Sequence, residues 1–155
     1  MFNIKQALLQ CKTDEDAVRQ TLSFIEENEG NAYSRKNAKG HITGSAFVVD
    51  GCGNILLNHH KKANIWIQFG GHCDSESDVR EVALRETMEE TGFAREDLIF
   101  LSPNVFDCGV YDIPEGRTKG EPAHKHYDIN FLIMTKTLAK MLLAVVEDTT
   151  NLSRV

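Results

Sequence analysis

Residues 70–93 read GGHCDSESDVREVALRETMEETGF, and no other stretch restricts the fold as tightly. Its middle has helical spacing, yet Glu89 and Glu90 fall in the last turn. That end carries the negative pole of the helix dipole, where a carboxylate is mildly destabilising. At about 100° per residue, Glu89 at i+3 and Glu90 at i+4 share a face with Glu86. Leu84 and Met88 point the other way, toward a core. Val79, Val82 and Ala83 continue the acidic stripe toward the N-terminus but are apolar. Such a helix should be covered on two sides and open at one spot. Arg85 is placed to bridge Glu81 and Glu89 at i−4 and i+4, which would hold Glu89 in one rotamer. Three clustered carboxylates repel one another and collect a hard cation such as Mg²⁺, which keeps waters and substrate phosphates in its shell. Gly70 and Gly71, at the helix entrance, let backbone carbonyls approach a metal closely. A solvated charged face is the competing reading of any acidic helix.

The remaining chain bounds what such a helix can serve. The 155 residues fit one domain with a real core. A net charge of −6 argues against a general nucleic-acid or anionic-membrane binder, though not against a small phosphorylated substrate met through metal ions. Cys11, Cys52, Cys73 and Cys108 form no C-x-x-C pair, which favours free thiols in a reducing cytosol. The opening MFNIKQALLQCKTDED has its apolar run broken by Lys5 and Gln6, unlike a signal peptide. No stretch has the length of a membrane span. A cytoplasmic protein is expected.

Around the helix the pattern is mostly extended. Residues 13–30 form an amphipathic helix in this reading, with Thr13 and Asp16 capping its start and Gly30 suiting its end. HITGSAFVVD and NILLNHH are strands joined through GCG as a hairpin, and NIWIQF is a short strand running into Gly70 and Gly71. LIFLSPNVFDCGVYDI and HYDINFLIMT are extended, separated by the loop PEGRTKGEPAHK. TLAKMLLAVVE fits either a helix or a strand. The class expected is α/β or α+β, a sandwich built on a sheet.

The segment REVALRETMEETGF with its preceding GGH resembles the Nudix box, in register at Gly71, Arg85, Glu86, Glu89, Glu90, Gly92 and Phe93. HITGSAFVVD, HHKKANIWIQFGGH and AHKHYDINFL look like flanking strands of one branch of that family, so the resemblance spans residues 40–133. It implies an α/β/α sandwich with a mixed sheet, in one Nudix-like domain over 1–155 with residues 1–30 as a helical extension. It also implies Mg²⁺- or Mn²⁺-dependent hydrolysis of a diphosphate bond, commonly in a nucleoside diphosphate linked to another group. Carried over by position, Glu86, Glu89 and Glu90 would be metal ligands, joined by the Gly70 carbonyl, and Arg85 would orient a glutamate. The departures are Ser77 at the first box glutamate, Thr87 at an aliphatic position, and Phe69 where proline often precedes the glycines. EDTTNLSRV looks like the start of a further strand, and the usual C-terminal helix is expected to be missing.

Substrate contacts are assigned to Arg117, Lys119 and His126, and Glu115, Glu121 and Glu147 are other candidates. His59, His60, His72, His124 and His126 invite a zinc reading, but no cysteine falls at finger-like spacing, so strand-edge or substrate-contacting histidines are expected. Trp66 is expected to pack as core or strand. No phosphate-binding P-loop is present. The resemblance implies a divalent-metal-dependent diphosphate hydrolase acting on a small-molecule nucleoside diphosphate derivative, with a homodimer compatible with it. A catalytically weak Nudix-fold nucleotide-binding module is the alternative.

Overall fold

The structure is a computed structural model that describes residues 2–60, 64–115 and 122–136, and the backbone of 152–154. Two long strands organise it, β1 (Gly40–Val49) and β7 (His124–Thr135). They run parallel in unbroken register from Gly40 opposite Lys125 to Val49 opposite Met134. The hairpin partner β2 (Ile55–His60) and the short β3 (Ile65–Ile67) extend the sheet beyond β1. β4 (Phe69–His72) pairs antiparallel with the first half of β1. β5 (Leu98–Phe100) and β6 (Asp107–Ile113) both pair antiparallel with β7. β8 (Leu152–Arg154) pairs with β2, so EDTTNLSRV does contain a strand. The sheet is therefore mixed, and with its helices the fold is α/β.

Alternation along the two central strands separates their side chains by face. Ile42, Ala46 and Val48 lie beside Tyr127, Phe131 and Ile133 on one face, all buried. Helix α3 (Val79–Thr91) crosses this face at Gly44, where an added Cβ would lie 2.7 Å from the Val79 carbonyl oxygen. Helix α2 (Glu15–Glu27) stacks Phe24 on Tyr127 at 4.1 Å between ring centroids. Phe2, just before α1 (Ile4–Leu8), packs edge-on against Phe131. The opposite face carries His41, Thr43 and Ser45 beside His126, Asp128 and Asn130. Residues 137–151 lie outside the described residues, and with them the reading of TLAKMLLAVVE and the expected lack of a C-terminal helix.

Several local expectations change. Asp14, rather than Thr13 or Asp16, caps α2 by accepting from the Asp16 and Ala17 amides, because it stands one residue before the first helical turn. NIWIQF divides into β3 on β2 and β4 on β1, two strands with different partners. Trp66 is 43% exposed on the β3 edge and lies against the His59 ring at 4.4 Å, so it is not core. In α3, Asp78 caps the start and Gly92, at φ 72°, closes the end. Ser77 is exposed and the adjacent Asp78 does the capping. Thr87 is fully buried and donates to the Ala83 carbonyl at 2.7 Å, which satisfies its hydroxyl where an aliphatic side chain would need no partner.

The close passage of β1 under α3 predicts the cost of one methyl group. Gly44→Ala should lower stability by about 1–3 kcal/mol, as overpacking against a backbone carbonyl does. Urea unfolding measures it, and an unchanged midpoint would mean that α3 can lift away freely.

Candidate active site

Short strand β4 brings the two glycines to the C-terminal half of α3. A Cβ on Gly71 would overlap the Glu86 carboxylate, so only glycine lets this side chain lie against the strand. Glu86 is 17% exposed in its side chain. Glu90 accepts the Gly70 amide at 3.1 Å with one oxygen and Asn58 Nδ2 at 2.9 Å with the other. Glu89 is 59% exposed and accepts from Arg85 at 3.3 Å. Arg85 Nη1 also bonds Glu86 at 2.6 Å, and its Nη2 donates to the His72 carbonyl at 3.4 Å. The brace between Arg85 and Glu89 is present. The one to Glu81 is not: Glu81 pairs with Nη1 and Nη2 of Arg95, at 2.9 and 3.1 Å, because the chain after α3 returns Arg95 to the helix start.

The electrostatics are those of crowded carboxylates. Burial raises the Glu86 carboxyl above its usual range, Arg85 works against that, and Glu89 and Asp74 add to it. Burial likewise raises Glu90, opposed by the Gly70 amide and Asn58 and reinforced by Glu86 and Glu89. Hard oxygen donors held together against a glycine strand, with their charged forms disfavoured, fit a divalent cation of the Mg²⁺ or Mn²⁺ type.

On the other side of β4 the polar face of the sheet forms the floor of a cleft of about 520 Å³. Gly70, Gly71 and His72 line its rim, and Ile65, Ile67 and Tyr111 are among its walls. Predicted residue His126 lines this cleft, while Arg117 and Lys119 lie outside the described residues, as do Glu121 and Glu147. Glu115 is described and exposed, at the end of the segment after β6.

The floor contains residues that the sequence did not single out. Asp128 is buried and accepts four hydrogen bonds: Thr43 and Ser45 hydroxyls at 2.7 Å each, Gln68 Nε2 at 2.9 Å and Asn130 Nδ2 at 3.0 Å. Its signal was the alternation of Thr43, Ser45, Asp128 and Asn130 with apolar residues, which in a strand marks one polar face. His41 is the other omission. It sits 1% exposed beside His126, His72 and His124.

Comparison with known proteins identifies the family. The NUDIX domain family model matches residues 40–140, and the chain belongs to the Nudix family. A probable DHNTP pyrophosphohydrolase of Lactococcus lactis subsp. cremoris (strain MG1363) is 22% identical over 120 residues, covering 77% of this chain and 69% of that protein. The m7GpppN-mRNA hydrolase NUDT17 of Xenopus laevis is 24% identical over 131 residues, covering 81% of this chain but only 40% of that protein's length. A NUDIX-family hydrolase from Clostridium perfringens superposes with a TM-score of 0.46 at 23% identity, over 63% of this chain and 70% of that one. The enzyme class supported by the family and its named relatives is that of a Nudix pyrophosphohydrolase.

Asp128 gives a pH prediction. Burial outweighs its four hydrogen bonds and raises its carboxyl above the ordinary value of 3.8. A folded pKa above the unfolded one contributes stability below the unfolded value that is lost as pH rises through the folded value. The stability of the wild type relative to Asp128→Asn should therefore be greatest near about pH 4 and decline toward about pH 8. Urea unfolding across that range checks the sign, and a relative stability that rises with pH would reverse it.

Proposed function

We propose that the chain is a divalent-metal-dependent hydrolase that cleaves a diphosphate bond in a nucleoside diphosphate linked to another moiety. The observation that carries this is the convergence of Glu86 and Glu90 on the Gly70–Gly71 strand, with Glu89 tied to Glu86 through Arg85, beside a cleft of nucleotide size. Glu86, Glu89 and Glu90 would hold Mg²⁺ or Mn²⁺, with the Gly70 carbonyl as a further donor. The bound ion supplies charge neutralisation at phosphate oxygens and a lowered pKa for water.

The chain's own residues do the rest. Arg85 fixes Glu86 and Glu89 relative to each other through one guanidinium nitrogen. Both oxygens of Glu90 are engaged, by Gly70 and Asn58. Glu89 is 59% exposed in its side chain and not bonded to the glycine strand, and we assign it the proton of the attacking water. The diphosphate would lie along the glycine rim, with one substituent in the cleft against His126. Residues 1–155 are taken as one Nudix unit in which the N-terminal helices extend the 40–133 core, and Arg117 and Lys119 remain candidates for substrate contact. The free thiols favour a reducing compartment such as the cytoplasm. No helix among the described residues is long and apolar enough to cross a membrane. A weakly catalytic nucleotide-binding module is the alternative, favoured by Ser77 in place of the first box glutamate.

Two measurements decide between these readings. Glu89→Gln and Glu90→Gln are nearly isosteric, and each should reduce Mg²⁺-dependent phosphate release from a panel of nucleoside diphosphate derivatives by roughly a hundredfold or more. Near-wild-type turnover in both would sink the mechanism, and no turnover in the wild type would leave the binding module.

The second is thermal. Because the folded carboxyls of Glu86 and Glu90 lie above their ordinary value of 4.5, their contribution to stability falls as pH rises through the folded values. A cation bound to the ionised forms restores it by mass action. Millimolar Mg²⁺ should raise the melting temperature more at about pH 8 than at about pH 5, and less in Glu90→Gln. An equal rise in wild type and variant would remove the site from α3.

A further inference from the structure

A second cluster of ligating side chains lies across β4 from the carboxylates. Strand register assembles it: His41 pairs directly with His126 across β1 and β7, and Thr43 pairs with His72 across β1 and β4. Residues 41 and 43 share a face of β1, so three imidazoles from three strands meet over the same part of the sheet. One ligating atom from each of His41, His72 and His126 lies within 4.8 Å of the other two. The His41 ring is 4.5 Å from that of His126 and 5.0 Å from that of His72 between centroids. We propose that His41, His72 and His126 form a second metal site, for a borderline divalent ion of the Zn²⁺ class, distinct from the carboxylate site on α3.

Three features support metal binding over a chance gathering of rings. The first is distance. Zn–N bonds of about 2.0–2.1 Å in a tetrahedron put donor atoms roughly 3.3 Å apart, which small side-chain rotations reach from the observed spacing.

The second feature is orientation from outside the triad. His124 Nδ1 lies 2.7 Å from the Pro122 carbonyl, which can only accept, so Nδ1 carries the proton. In a neutral His124 the Nε2 is then the acceptor for His126 Nε2–H at 3.1 Å. This leaves the Nδ1 of a neutral His126 unprotonated, the form that binds metal. A metal-binding imidazole typically donates its other N–H to such a partner, which sets its tautomer and angle.

The third feature is donor type and access. Three nitrogen donors select Zn²⁺, Co²⁺ or Ni²⁺ over Mg²⁺, which prefers oxygen. His72 and His126 line the cleft, so three protein ligands would leave a coordination position facing the substrate.

The test is direct binding by the full-length, chelator-treated protein in millimolar Mg²⁺, with Co²⁺ as the probe. The expected result is about one Co²⁺ per chain with the visible absorption of a low-coordinate nitrogen site. His72→Asn and His126→Asn should weaken binding by at least about tenfold, while Glu90→Gln retains it. No Co²⁺ bound in excess Mg²⁺, retention by His126→Asn, or loss in Glu90→Gln would each overturn the site. A wild-type measurement covers variants that fail to fold. Long-range ¹⁵N–¹H spectra of the imidazoles should show several histidines shifting together with Zn²⁺ and not with Mg²⁺. Unshifted imidazoles would end the proposal.

Discussion

The parallel pairing of β1 with β7 is the constraint on which the other features depend. Its ten matched pairs fix which side of every residue faces the helices and which faces the cleft. A slip of β7 by one residue would send Tyr127, Ile129, Phe131 and Ile133 to the polar side and bury His126 and Asp128 under α3. Hydrophobic burial on one face opposes that slip. On the other, Asp128 opposes it as well, because its four donors come from β1, β7 itself and the residue before β4. A buried carboxylate is costly unless its oxygens are satisfied. Here the satisfied network also specifies register, since no neighbouring position offers the same four donors.

The acidic end of α3 is tolerated because the rest of the helix is well anchored. Asp78 and Gly92 close its two ends, and Thr87 and Thr91 satisfy their hydroxyls on carbonyls one turn back. Val79, Val82 and Ala83 are buried against the sheet. Arg95 takes Glu81, which leaves Arg85 to Glu86 and Glu89. Local repulsion is thus confined to one side of one turn. The glycines of β4 serve this arrangement differently. Gly71 provides space for the Glu86 carboxylate, and Gly70 provides an amide for Glu90.

The sequence made the carboxylate site legible because all its members except the strand glycines lie on one helix, where spacing alone places them together. The long strands and the β1–β2 hairpin were legible for the same reason, as local alternation and turn chemistry. What escaped depends on partners distant in the chain. Arg95 rather than Arg85 holds Glu81 because of where the chain turns after Gly92. His41 is not singled out by the sequence, and its significance appears only when β7 and β4 are set beside it. Spacing within β7 puts His124 and His126 on one face, but it could not show that β1 and β4 bring His41 and His72 beside His126. Trp66 reads as packing in the core or in a strand, and it lies in a strand, β3, a three-residue edge strand with no buried residue.

Four residues of β4 form the wall between two donor sets of opposite chemistry. On the α3 side, oxygen donors crowd at the helix terminus, while across the strand nitrogen donors meet on the polar face. The His72 backbone joins them, because its carbonyl accepts from Arg85 while its imidazole lies with His41 and His126. Hardness alone would then sort the ions, Mg²⁺ to the carboxylates and a Zn²⁺-class ion to the imidazoles. Gly70 and Gly71 line the same cleft as His72 and His126. A substrate in that cleft would present its diphosphate to one centre and its remaining substituent to the other. Discrimination among diphosphates would therefore reside in the three strands that carry the imidazoles, and the box helix would be indifferent to it.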